Sequence, residues 1–302
     1  MPLTRRHLLQ SAAAAGLAPL MPRRLVAETT IGSGRLITVS DGNLVLPGDF
    51  IFAGMPEADL SDILAAQGID RQRLTPECNV TLWQDGEQTV LFDVGAGSTF
   101  MDSAGELLGN LEAAGVSPEQ VTVVVFTHAH PDHIWGLLDD FDDLVFPEAR
   151  YLMGRAEWDY WWDPETAETI GTERQAFAVG ARRRMEVIED RIERFEDGAE
   201  ILPGLAAILT PGHTPGHMAF ELRQGNEATL IVGDAIGNDH VAFARPGWEA
   251  NSDQDPELAA RTRVALMDRL AQEQMPVIGF HLSEGGMGHV ERTGDAYRYV
   301  PL

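Results

Sequence analysis

The stretch Thr127-His128-Ala129-His130-Pro131-Asp132-His133 gathers three imidazoles and a carboxylate within seven residues. Neutral imidazole with carboxylate suits zinc, and Mn, Fe or Co compete for the same ligands, so an H-x-H-x-D-H spacing points to a metal site. Three further candidates lie downstream. His213 sits in Thr210-Pro211-Gly212-His213-Thr214-Pro215-Gly216-His217, where two Gly and two Pro make a rigid turn; Asp234 closes Val232-Gly233-Asp234; His281 follows Gly279-Phe280. Five imidazoles and two carboxylates are enough for two divalent ions. Two ions about 3.5 to 4 Å apart share a water, lower its pKa and present hydroxide as a nucleophile. One ion would also polarise the substrate C=O or P=O.

These side chains have to be carried to one place, and hydrophobic periodicity says how. Residues 121–126 are apolar apart from Thr122 and mostly β-branched, the pattern of a strand buried on both faces, and they run straight into the histidines. Strands are predicted over 35–46, 80–83, 89–94, 206–209, 218–222, 229–232 and 277–280, with Pro47-Gly48 as a turn and Asp85-Gly86 as a hairpin tip. Helical spacing covers 104–114, stopping at Gly115, and 256–272. The stretch from about 150 to 194 is charged, rich in Trp and helical in spacing. Candidate ligands therefore follow strand ends, where α/β proteins place their sites.

Composition narrows the function classes. The 302 residues hold no apolar run of the roughly 20 residues that a permanent membrane span needs. A formal charge of −25 repels nucleic acid and anionic lipid. The chain has no Lys, which excludes Schiff-base chemistry, and its one thiol, Cys78, has no neighbouring base and reads as structural. Arg5-Arg6 precedes a small-residue apolar stretch, and residues 1–27 contain no Asp or Glu; this reads as a twin-arginine export signal cut near Ala27. The product would be periplasmic or secreted, with residues 28–302 as a single domain and a charge of −29 once the signal's four Arg are gone.

The ordered set H-x-H-x-D-H, distant His, Asp and final His resembles the metallo-β-lactamase superfamily over nearly the whole chain after residue 27. Ser40-Asp41-Gly42, Asp93-Val94-Gly95-Ala96-Gly97, the turn from Pro211 to His217, and the tail through Gly288-His289-Val290 to Tyr299-Val300-Pro301 are similar to its methyl parathion hydrolase-like branch. The resemblance implies an α/β fold, the four-layer αβ/βα sandwich, with a dinuclear centre, most simply two Zn ions. In it His128, His130 and His213 would bind one ion, Asp132, His133 and His281 the second, and Asp234 would bridge them, making Asp132 and Asp234 the catalytic carboxylates. His217 and Asp93 read as groups that orient ligands.

The substrate implied is a small ester-like molecule: a phosphotriester, an aryl ester or a lactone. A glyoxalase II-like thioesterase or an acyl-homoserine lactonase is the alternative, with a β-lactamase, a di-iron redox protein and a metal-dependent binding protein behind them. Acyl-homoserine lactonases carry a Tyr three residues after the bridging Asp, where this chain has Gly237, and whether His240 substitutes is open. Trp158, Trp161 and Trp162 share one helix face, which reads either as core packing or as an aromatic wall over the metals with Phe50 and Phe52. Relatives commonly dimerise, which makes a homodimer an expectation as well.

Overall fold

The computed structural model describes residues 25–86 and 88–302. The predicted export signal lies outside the described residues except for its last three, which open the first strand. In chain order the first half supplies β1 (Leu25–Ile31), β2 (Gly34–Asn43), the short pair β3 (Leu46–Pro47) and β4 (Arg73–Leu74), β5 (Glu77–Asp85), β6 (Gln88–Phe92), β7 (Val123–Phe126), β8 (Arg150–Gly154) and β9 (Ile192–Phe195). The second half supplies β10 (Glu200–Leu202), β11 (Leu205–Leu209), β12 (Met218–Gln224), β13 (Glu227–Gly233), β14 (Val277–Gly279), β15 (Met287–Thr293) and β16 (Ala296–Pro301). Apart from β3 and β4, which pair only with each other, they form two seven-stranded sheets, β1-β2-β5-β6-β7-β8-β9 and β10 through β16 in order.

Alternation along the strands builds the layers. In β7, Val123 and Val125 point between the sheets, where they join Phe92, Phe220 and Ile231; Val124 and Phe126 point outward to Trp158, Met185 and Ile188 of the flanking helices. In β13, Ile231 faces the other sheet, while Leu230 and Val232 pack against Leu266, Met267 and Leu270 of the helix Pro256–Glu273. The order is therefore helix, sheet, sheet, helix, the expected four-layer sandwich. Strands buried on both faces tolerate parallel pairing, and β6 to β9 run parallel, as do β13 and β14. Their carboxyl ends meet at one edge.

Two departures from the sequence reading bear on the elements around the site. The region from 150 to 194 begins and ends with strands, β8 and β9, around the helices Arg155–Trp162, Thr166–Thr169 and Gln175–Ile188. Tyr151-Leu152-Met153 in β8 is an apolar run too short for periodicity to separate strand from helix. Pro47-Gly48, expected as a turn, instead starts the helical turn Gly48–Ile51. That turn and the helix Glu57–Gln67 bury Ile51, Phe52, Leu60 and Leu64 in a small core of their own beside the ligand-bearing edge.

Candidate metal centre

Five strand ends deliver the site, β11 supplying His213 through the turn that follows it. After β6, Asp93 turns with φ of 65° and anchors the loop that leaves β7: Thr127 donates to it from both N–H (2.8 Å) and Oγ1 (2.7 Å), and His133 Nδ1 lies 2.8 Å from its Oδ2. Pro131 starts the turn Pro131–Ile134, which swings Asp132 and His133 back over the strand. β13 delivers Asp234, and β14 delivers His281. Gly233, at φ of 50°, has no room for a Cβ, which would stand 2.8 Å from His217 Nε2. That nitrogen accepts the Asp234 N–H at 3.1 Å, and burial drives the His217 pKa down to about 3, so it stays neutral to do so.

Two groups of candidate ligands result: His128, His130 and His213, and Asp132, His133, Asp234 and His281, all buried. In the first, His130 Nδ1 is 3.0 Å from His128 Nε2 and 2.9 Å from His213 Nε2. In the second, His133 Nε2 is 3.4 Å from Asp132 Oδ2 and 3.3 Å from Asp234 Oδ1, and His281 Nε2 is 3.2 Å from Asp132 and 3.3 Å from Asp234. Asp234 Oδ2 also lies 3.4 Å from His213 Nε2, so this carboxylate stands between the groups.

The outer nitrogens show that the inner ones are lone pairs. His128 Nδ1 meets Thr127 Oγ1 (3.0 Å), His133 Nδ1 meets Asp93, His213 Nδ1 meets Asp253 Oδ1 (2.9 Å), and His281 Nδ1 donates to the Glu77 carbonyl (2.7 Å). Protons held there leave Nε2 of all four bare and aimed inward. Asp132 Oδ2, His133 Nε2 and Asp234 Oδ1 are buried with no hydrogen-bond partner. Buried acceptors facing acceptors call for cations. Ligands about 2.0 to 2.1 Å from a tetrahedral ion stand roughly 3.3 Å apart, which the observed spacings match. The residues fit a pair of divalent ions.

When protons rather than ions occupy the site, its imidazoles divide. Burial opposes charging His133 and His281, but Asp234 and Asp132 override it and raise both well above the ordinary value. Burial, reinforced by neighbouring imidazoles, drives His128 and His130 well below it. Asp132 and Asp234 lie low despite burial because those two imidazoles, His133 and His281, face them.

The centre opens into a cavity of about 730 Å³ whose lining includes His130, Asp132, His213, Asp234 and His281. Phe50 and His240 line it, whereas Phe52, Trp158, Trp161 and Trp162 do not. Phe52 is buried in the small core, edge-on to His240 at 6.0 Å. Trp158 and Trp161 are each 1% exposed, and Trp162 stacks on Trp158 at 5.1 Å. Their helix turns this face onto the helix Gln175–Ile188 and the sheet, so core packing holds and the aromatic wall must be corrected. Trp161 backs His130 at 5.7 Å without lining the cavity. The apolar wall is instead Leu46, Phe50, Ile51, Met55, Phe100 and Phe177. Sequence reasoning also missed Asp253 and Glu157; an acid at 157 on the face of Trp158 and Trp161 was the available signal.

Strand order, layers and two acceptor clusters at one sheet edge define a protein of the αβ/βα metal-site class. The chain belongs to the metallo-beta-lactamase superfamily, whose family model matches residues 75–300. It is 29% identical over 154 residues to the N-acyl homoserine lactonase AttM of Agrobacterium fabrum, covering 47% of this chain and 52% of that one. The chain spans about half the length of the curated relatives it matches. Among solved structures, the hydrolase AbOPH superposes with a TM-score of 0.86 at 27% identity, covering 92% of this chain and 97% of that one. AidC, a dizinc quorum-quenching lactonase, superposes at 0.85 with 24% identity, covering 91% and 97%. Among the described residues no helix is long and apolar enough to cross a membrane.

Proposed function

We propose that this protein hydrolyses an uncharged ester-type bond in a small molecule carrying an apolar arm, with an N-acyl lactone as the first substrate class. The observation that carries this is the pair of inward-facing acceptor clusters at the floor of an apolar-walled cavity. Two divalent ions, zinc on the donor set, would supply Lewis acidity and lower the pKa of a bound water. His128, His130 and His213 would hold one, Asp132, His133 and His281 the other, with Asp234 between them. Phe50, Ile51, Met55 and Phe177 hold the apolar arm and exclude water from it. The 29% identity to AttM supports the lactone.

A second reading, an aryl ester or phosphotriester as in the methyl parathion hydrolase-like branch, is favoured by Gly237. It lines the cavity, and a Cβ there would meet only the Asp234 carbonyl at 3.9 Å, so the space that a Tyr fills in acyl-homoserine lactonases is open to a bulkier substrate. Rates on N-hexanoyl homoserine lactone, p-nitrophenyl acetate and methyl paraoxon, with zinc and after chelation, test both. Zinc-dependent turnover of the lactone supports the first reading. Absence of turnover on all three would overturn both. Export through Arg5-Arg6 belongs to the same proposal; replacing both by Lys should leave the protein in the cytoplasm, and unchanged export would refute it.

A further inference from the structure

We infer that Glu157 is a positioning residue that locks the two loops of the three-histidine cluster into one register. This rests on the metal-binding part of the reading above and not on its substrate.

Glu157 lies in the first turn of the helix Arg155–Trp162 and is wholly buried. Its Oε1 accepts the Ala129 N–H at 2.9 Å and the Trp161 Nε1–H at 2.6 Å. Its Oε2 accepts Thr214 Oγ1 at 2.7 Å and the Gly216 N–H at 3.1 Å. Ala129 stands between His128 and His130, and Thr214 directly follows His213. One carboxylate thus fastens the chain segments bearing His128, His130 and His213, although 83 residues separate His130 from His213. A buried carboxylate is tolerated only when its lone pairs are filled, and here four donors fill them.

The surroundings are built around this contact. A Cβ on Gly216 would stand 2.0 Å from the Glu157 backbone nitrogen, so only glycine lets the His213 turn come close enough for the bond. Trp161, which donates to Oε1, also packs edge-on to His130 at 5.7 Å, tying the carboxylate to the ring it positions. The four bonds of Glu157 all go to the three-histidine side, whereas Asp93 serves His133 in the second cluster. Glu157 therefore serves the three-histidine cluster alone, while Asp93 holds His133 directly and reaches His128 only through the Thr127 hydroxyl.

The test is zinc titration of the metal-stripped protein against a chromophoric chelator, which resolves two equivalents, alongside the thermal midpoint of the stripped protein. Glu157→Ala should weaken one equivalent by about 10- to 100-fold and leave the other unchanged, as loss of an outer partner does. Glu157→Gln should fall between: its carbonyl still accepts from Ala129 and Trp161, but its amide opposes the Gly216 N–H. Thr214→Val removes only one of the four donors, so it keeps the test decisive should both Glu157 variants misfold; it should weaken the same equivalent several-fold. A lowered midpoint with both affinities intact would make Glu157 merely structural and overturn the inference. Equal weakening of both equivalents would overturn it too. Failure of the wild type to hold two zinc ions would instead bring down the metal reading on which it rests.

Discussion

Asp93→Asn probes the second cluster most sharply, because it keeps the volume of a buried side chain and changes one acceptor into a donor. In the wild type Oδ1 accepts the Thr127 N–H, while Oδ2 receives Thr127 Oγ1 and His133 Nδ1–H at 2.7 and 2.8 Å. An asparagine turns its carbonyl to Thr127 N–H, an obligatory donor, and presents its NH2 to the hydroxyl and the imidazole. The hydroxyl rotates to accept. The imidazole accepts only by moving its proton to Nε2, the atom that faces Asp132 and Asp234. A protonated nitrogen is no ligand. The expected loss is about 10- to 100-fold in affinity for one metal ion, or about 1.4 to 2.8 kcal/mol. The fold loses little, about 1 kcal/mol for one exchanged hydrogen bond. Zinc content after dialysis and chelator competition read the first quantity, and urea unfolding of the stripped protein reads the second. A variant that holds both ions as tightly as the wild type would refute the tautomer argument.

Three further outcomes are expected. Asp234→Ala and His133→Ala should each lose one metal ion and at least about a hundredfold in rate; unchanged turnover in either would remove that residue from the centre. Trp158→Ala should cost about 3 to 5 kcal/mol in urea unfolding with KM for bulky esters unmoved, and a changed KM at full stability would restore the aromatic wall. In metal-stripped protein, His133 and His281 titrate above their ordinary 6.5 because Asp234 and Asp132 face them. Their stabilising contribution is complete below about 6.5 and is lost as pH rises through the raised values. Urea midpoints of the stripped protein should therefore fall toward alkaline pH while those of the zinc-loaded protein stay flatter; parallel pH profiles would count against this cluster.

How much was legible beforehand differs between the fold and the site. Long periodic segments such as the helix Pro256–Glu273, and runs such as β7 and β13, carry their own hydrophobic pattern and were readable to within a few residues. β8 was hidden because Tyr151-Leu152-Met153 is brief and joined to a helix. The hairpin of β15 and β16 was recognisable as a motif-bearing tail but not as two strands. Ligand types were plain from H-x-H-x-D-H and from residues placed just after strand ends.

Residue order was enough to say which atoms are available to hold cations, since residue type and spacing set donor chemistry before any folding. It was also enough for the alternation that buries both faces of the central strands, because side-chain direction follows chain position. Which aromatics see the cavity was settled only by packing: the turn of one helix sends Trp158 and Trp161 into the core, while Phe100 and Phe177 arrive from elsewhere. Packing also settled which acids orient which imidazoles. Asp93 reaches His133 across 40 positions, Asp253 reaches His213 across 40, and Glu157 clamps two loops, its Gly216 bond spanning 59. Hydrogen bonds over such separations leave no local pattern, because they depend on where the backbone returns and not on the immediate neighbours of each residue.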